Sequence, residues 1–255
     1  MKNNFLKKGY KIIDLFSDKE YENLVIKICK KINSLQNKVY ITNKNLSKFH
    51  NIEFDDKEYA NIINSETRNI LINENHLTKL ILQTEIYDIL KQFWGHSRTK
   101  IVWVGSAKKG QIINSRIGFR IARPVKLKSK DAASEHIDLY NTDKKSFVTI
   151  WIPIIGFSKK YSLKIYPESH LKDHNANDFE KNHKYISRVF KKKYVKKFKP
   201  YRPNLKRGQA LIIDPNIIHG GASNQGIQTR VSLEIRLFNK DNYDINTTFD
   251  KKLVN

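Results

Sequence analysis

Residues 210–238, ALIIDPNIIHGGASNQGIQTRVSLEIRLF, hold two apolar, β-branched runs, Ala210–Ile213 and Thr229–Phe238, on either side of a histidine. Asp214-Pro215-Asn216 is turn chemistry, and two glycines follow His219, so the backbone there can come close to a bound group. The same texture recurs upstream. Ile101–Gly105, Ile112–Ile121, Phe147–Ile155 and Ser162–Tyr166 are runs rich in Val, Ile, Phe and Trp, separated by turn residues or charge clusters. Each reads as a strand.

The N-terminal part has a different period. Ser17 with Glu20 makes a capping box, with Phe16 and Tyr21 placed as a hydrophobic staple. Tyr21, Leu24, Val25, Ile28, Ile32 and Leu35 follow at helical spacing, which predicts a helix over about 18–35. Leu77, Leu80, Ile81, Ile89, Leu90 and Phe93 predict a second helix, with Gly95 as its stop. The polar segment 37–72 gives no assignment. Helices first and strands afterwards, without βαβ alternation, argue against a doubly wound parallel sheet. The expectation is an α+β chain with a mainly β core, an antiparallel sandwich or barrel with the N-terminal helices packed on one side. The expected division is one domain over 1–255: a mostly helical part (1–98), a β core (99–240) and a polar tail (241–255).

Composition narrows the setting. A chain of 255 residues buries a sizeable core without staples. Cys29 is the only cysteine, which excludes an intrachain disulfide and a cysteine-based zinc site and points to a reducing, cytoplasmic location. The N-terminus lacks the apolar core and cleavage site of a signal peptide. The longest apolar stretch, Phe147–Phe157, falls short of the roughly 18–20 residues that span a bilayer. The net charge of +23 fits a binder of nucleic acid or acidic surfaces, but a Lys-, Asn- and Ile-rich composition of the kind AT-rich codons specify explains it more simply. The excess is densest in Arg188–Arg207, part of which is expected to fold over the mouth of the pocket.

The residues that carry chemistry are His136-Ile137-Asp138, His219 and Arg230. Residues two apart on a strand share a face, so His136 and Asp138 aim at one space while Ile137 turns away. Two imidazoles and one carboxylate form a facial triad that suits Fe(II) and leaves positions open for a co-substrate and oxygen. Arg230 opens the next strand, where a guanidinium can clamp a carboxylate with two parallel bonds. His-x-Asp alone is common by chance, and a lone histidine or arginine says little. The order, spacing and strand context of all four carry the weight.

These residues resemble the phytanoyl-CoA dioxygenase-like family of Fe(II)/2-oxoglutarate oxygenases. The family carries His-x-Asp on an early core strand, a second histidine roughly eighty residues later, and a co-substrate arginine about eleven beyond; His136, Asp138, His219 and Arg230 stand at close to those separations. TIWIPI (149–154) is similar to the family's strand with a tryptophan near the co-substrate, which suggests Trp151. SLKIYPESH (162–170) resembles its G-x-L-x-x-x-P-G-S-H stretch, and GYKIIDLFSDKE its usual opening. Two turns depart: Glu168 replaces the usual glycine, and Lys159-Lys160-Tyr161-Ser162 replaces an acidic-Asn-Gly turn. The resemblance implies a double-stranded β-helix (jelly-roll, cupin-like). It also implies Fe(II) held by His136, Asp138 and His219, 2-oxoglutarate anchored by Arg230 beside Trp151, and O2. The product side is succinate, CO2 and an oxidised substrate. Because Asp138 is retained where halogenating relatives have a small residue, hydroxylation or a related oxidation is implied.

The expected partner is a small molecule, including anionic or carrier-tethered ones. The alternatives are a nucleic-acid oxygenase and a non-catalytic cupin-like module. Arg230 and Arg236 reproduce the R-x-x-x-x-x-R pattern of nucleic-acid dealkylating oxygenases, but the ligand spacings differ and the match reads as coincidence. His170, His174 and His183 fit no tight metal motif; Glu135 and Asp214 read as a flank charge and a turn residue; Trp94 and Trp103 read as core. Arg116 and Arg120 share a strand face, and Arg123 the other.

Overall fold

The structure is a computed structural model that describes residues 4–63, 69–71, 83–95, 99–103, 113–114, 116–124, 131, 134–138, 147–180, 188–220 and 222–239. Helix α1 (Asn4–Lys8) leads into strand β1 (Tyr10–Asp14), followed by helices α2 (Asp18–Asn33) and α3 (Asp56–Ile63), strand β2 (Asn69–Leu71) and helix α4 (Ile86–Trp94). Strands β3 (Thr99–Trp103), β4 (Ile113–Asn114), β5 (Arg116–Ala122), β6 (His136–Ile137), β7 (Phe147–Ile155) and β8 (Arg188–Val189) come next. A short helix α5 (Lys192–Val195) precedes β9 (Gln209–Ile213) and β10 (Arg230–Asn239).

The capping box that starts α2 is present: the Glu20 amide donates to Ser17 Oγ, and Glu20 accepts from the Ser17 amide. Gly95 ends α4 in the left-handed region, where a side chain would be strained. The first part of the predicted second helix, 77–82, the tail 241–255 and Gly221 lie outside the described residues.

The main sheet is antiparallel, in the order β1-β9-β7-β10-β3-β4, and β5 pairs with both β10 and β2. Strand β10 is central: β7 runs along one edge, β5 and β3 along the other. Alternation divides its side chains cleanly. Val231, Leu233, Ile235 and Leu237 join Val148, Ile150, Ile152 and Ile154 of β7 in the main core. Helical residues Leu24, Ile28, Ile32, Ile89 and Phe93 complete that core, so the helices pack on one face of the sheet, as expected. Fully burying each Ile or Leu contributes about 1.5–3 kcal/mol relative to leaving it in water. The core is thereby held by apolar area rather than by cross-links.

The opposite face of β7 and β10 looks at a second, more irregular sheet. Strand β6 pairs with β8, His136 bridges to His219, and Ile165 bridges to both His219 and Tyr201. The predicted strand 162–166 is thus reduced to one bridging residue. Two facing antiparallel sheets with helices behind one of them give the expected jelly-roll architecture.

The stretch 190–198 of the basic segment lies on the outside of the second sheet rather than over the pocket mouth, whereas Leu205, near the segment's end, packs with the cavity-lining Trp151 and Ile213. Phe190, Val195 and Phe198 pack with Ile137 and Ile218 on the outer face of the second sheet. The lysines of this segment are consequently carried on the outside, with Lys192, Lys193, Lys196 and Lys197 exposed.

Candidate active site

Alternation along the second sheet places the chemistry. Ile137 and Ile218 turn outward into the apolar cluster under α5, so their neighbours His136, Asp138 and His219 turn inward. The two histidine backbones exchange hydrogen bonds, His136 N–H to His219 O at 2.8 Å and the reverse at 2.9 Å. This register brings the rings to 4.4 Å between centroids. Asp138 Oδ1 lies 3.8 Å from His136 Nε2, and Asp138 Oδ2 lies 3.7 Å from His219 Nε2. One donor atom from each of the three falls within 4.8 Å of the others, and all three residues are buried.

Both rings are oriented from behind. His136 Nδ1 lies 2.7 Å from the Ser134 carbonyl, and His219 Nδ1 lies 3.0 Å from that of Ile217. A carbonyl only accepts, so each Nδ1 carries the proton and each Nε2 keeps its lone pair toward the centre. Gly220, at φ +106, makes the close approach possible: a Cβ there would lie 2.4 Å from Ser134 O and 3.0 Å from His136 Nδ1. Burial, followed by the neighbouring His219, pulls the His136 pKa down to about 4, so the ring is neutral at physiological pH. Although burial opposes its charge, Asp138 is held well below the usual carboxylate range by Arg236 and the two imidazoles. Two inward-facing imidazole nitrogens and an ionised carboxylate form a donor set suited to a divalent cation.

Arg230 lies across the cavity on β10. The same cavity is lined by His136, His219, Thr149, Trp151, Arg120, Glu234 and Arg230. Arg230 Nη1 donates to the carbonyls of Ala222 at 2.9 Å and Tyr161 at 3.2 Å, while its buried Nε has no partner. Among the described residues no carboxylate forms an ion pair with it. Burial, then the nearby Arg120 and Arg202, lowers its pKa to about 10, which leaves it protonated at neutral pH. A buried cation lacking its own anion is costly unless an anionic group completes it. That vacancy in the charge balance fits the distal carboxylate of 2-oxoglutarate.

The sequence places Arg236 on the face of Arg230 but gives it no role at the site. Six residues after Arg230 on the same strand face, it reaches Asp138 Oδ1 at 2.8 Å and Glu234 Oε1 at 3.0 Å. Thr149 Oγ1 donates to the other oxygen, Asp138 Oδ2, at 2.8 Å. The only signal was the shared face of β10, and Arg236 serves the carboxylate there. Other residues fall as expected. His170 contacts Leu6 O and His174 contacts Tyr194, away from the triad; His183 lies outside the described residues. Asp214 caps a turn through the Asn216 amide, and Glu135 pairs with Lys164 at 2.5 Å. Arg123 pairs with Asp131 and stacks on Tyr59.

Comparison with known proteins agrees with this geometry. The family model for phytanoyl-CoA dioxygenase matches residues 23–232. The chain belongs to the phytanoyl-CoA dioxygenase family. No curated protein matches it by sequence. Among solved structures it resembles the non-haem alpha-ketoglutarate-dependent carbocyclase SnoK from nogalamycin biosynthesis, at 14% identity and TM-score 0.53 over 92% of this chain and 81% of that one. The epimerase SnoN, solved with Fe3+, alpha-ketoglutarate and nogalamycin RO, aligns at 11% identity and TM-score 0.54 over 92% and 81%. EctD from S. alaskensis, solved with 2-oxoglutarate and 5-hydroxyectoine, aligns at 14% identity and TM-score 0.53 over 93% and 74%. These likenesses speak for the fold. As a member of the phytanoyl-CoA dioxygenase family, the chain is an Fe(II)/2-oxoglutarate-dependent oxygenase. No helix among the described residues is long and apolar enough to cross a membrane.

Proposed function

We propose that the chain acts as one oxygenase domain in the cytoplasm and hydroxylates a C–H bond of a small substrate bearing an anionic group. In this reading His136, Asp138 and His219 hold Fe(II), Arg230 binds the distal carboxylate of 2-oxoglutarate, and Trp151 flanks that co-substrate. The convergence of the three donor atoms within 4.8 Å, beside a cavity with a buried guanidinium that no acid among the described residues pairs with, is the observation that carries it. Iron with 2-oxoglutarate and O2 supplies the oxidising chemistry, releasing succinate and CO2. The protein's part is positioning. Ser134 and Ile217 fix the imidazole tautomers, Arg236 and Thr149 fix the carboxylate, and Arg230 sets the reach of the co-substrate.

Arg120 supports the anionic character of the substrate. It lines the cavity, and its nearest acid, Glu234, lies 3.7 Å away and is engaged at 3.0 Å by Arg236. Fe(II) and the 2-oxoglutarate dianion cancel. Asp131, which also lines the cavity, is balanced by Arg123 at 3.1 Å, so Arg120, Arg230 and Arg236 against Asp138 and Glu234 leave one positive charge around the remaining space. Succinate release from 2-oxoglutarate under Fe(II) and air, measured across a panel of small carboxylates and their amides, tests the reading. Stimulation by carboxylates that Arg120→Ala abolishes is expected. Equal stimulation by the amides would remove the anionic substrate, and no succinate release either without substrate or with any member of the panel would count against the proposed reaction.

A further inference from the structure

We infer that Arg236 is a positioning residue for the metal centre, locking Asp138 in the orientation that presents a carboxylate oxygen to the cation. The inference rests on the reading of His136, Asp138 and His219 as the metal's ligands. Asp138 comes just after the two-residue strand β6, where the backbone ladder no longer fixes it. Its amide is held by Pro215 O at 3.0 Å, but its side chain could still rotate. Two donors from the facing sheet prevent this. Thr149 of β7 holds Oδ2, and Arg236 of β10 holds Oδ1, each at 2.8 Å. Thr149 and Arg236 are register partners on adjacent strands, so the two donors form one rigid fork. Each carboxylate oxygen keeps a lone pair, and each already lies within 3.8 Å of one imidazole Nε2. Arg236 is in turn fixed by Glu234 at 3.0 Å, and Glu234 has Arg120 at 3.7 Å. A row of alternating charges thus runs from the cavity wall to the metal ligand.

Arg236 affects a cation in two opposing ways. Its charge repels a divalent ion nearby, so by charge alone its removal would tighten binding. Its bond to Asp138 orders a ligand, so by positioning its removal weakens binding, and loss of such outer contacts typically costs about 10–100-fold in metal affinity. The sign of the change separates the two effects.

The experiment is titration of the metal-free full chain with Co(II), followed by visible absorption of the bound ion. Arg236→Met is expected to weaken Co(II) binding at least about tenfold and to alter the band pattern, with Arg236→Lys in between. Unchanged or tighter binding by R236M would overturn the inference. Should R236M fail to fold, R236K decides alone, since it keeps the charge and loses the guanidinium nitrogen, Nη2, that bonds both Asp138 and Glu234. Weaker binding than wild type supports positioning, and wild-type binding overturns it. His219→Ala is the control for the underlying reading: if Co(II) binds this variant as it binds the wild type, the metal site itself is wrong, whatever Arg236 does.

Discussion

Replacing Arg230 by methionine keeps most of the side-chain volume on β10 and removes a buried cation that no acid among the described residues pairs with. In the wild type, Nη1 is committed to two carbonyls and Nε is unpartnered, so the guanidinium can still offer a 2-oxoglutarate carboxylate charge-assisted bonds. Each such bond contributes about 1.5–3 kcal/mol net. Two of them give at least about 3 kcal/mol, a weakening of 2-oxoglutarate binding of more than about a hundredfold. Binding at the metal end is untouched, so the variant should still saturate, at a much higher concentration. Calorimetric titration of 2-oxoglutarate into anaerobic Mn(II)-loaded protein measures the dissociation constant directly, and the KM for 2-oxoglutarate in succinate formation should rise in parallel. A dissociation constant within about threefold of wild type, in a variant whose urea unfolding is unchanged, would show that Arg230 does not bind the co-substrate.

Four other outcomes are expected. Gly220→Ala forces a Cβ to 2.4 Å from Ser134 O at φ +106, and should cost about 3 kcal/mol of stability together with metal affinity; a wild-type urea midpoint would refute the close approach. Glu168→Gly relieves the only left-handed non-glycine residue among those described (φ 67), and should raise stability by about 1 kcal/mol in thermal unfolding, whereas a loss would show that the Glu168 side chain matters more than its backbone. His136 has a folded pKa of about 4 against 6.5 unfolded, so the unfolded chain takes up its proton first. Stability of the metal-free protein is therefore complete above about pH 6.5 and is lost as pH falls toward 4, by about 3 kcal/mol; a flat urea midpoint across that window would contradict the buried neutral ring. Exchanging Lys192, Lys193, Lys196 and Lys197 for glutamine should leave kcat/KM and its salt dependence unchanged, because these residues do not line the cavity; a change beyond about threefold would return the basic segment to the active site.

What the sequence reveals about this site is set by periodicity. Strands β7, β9 and β10 are long enough for alternation to be visible, and Phe147–Ile155 was bounded to the residue. His136 and Asp138 could be paired because a strand separates faces every second residue, and His219 because its glycines mark a close approach. The second sheet was nearly invisible. Strands β6 and β8 have two residues each, and Ile165 contributes through single bridges, so there is no run for a pattern to occupy. Strand β1 was overlooked because Tyr10–Asp14 has no turn signal ahead of it other than Gly9. The basic segment carries a conspicuous charge, but its apolar residues determine where it packs: Phe190, Val195 and Phe198 on the outer face of the sheet and Leu205 against Trp151. Arg236 sat in plain view on the right face and was assigned to coincidence, because a sequence carries no direct sign of which acid a buried arginine meets.

The reciprocal backbone bonds between His136 and His219 join two segments 83 positions apart along the chain. An ion seated between their side chains acts as a clasp across that long loop, adding a third fastening to a sheet whose strands are only two residues long. In the proposed reading, removing the ion takes away that fastening, so the metal-free protein is expected to be cleaved by protease faster than the metal-loaded one.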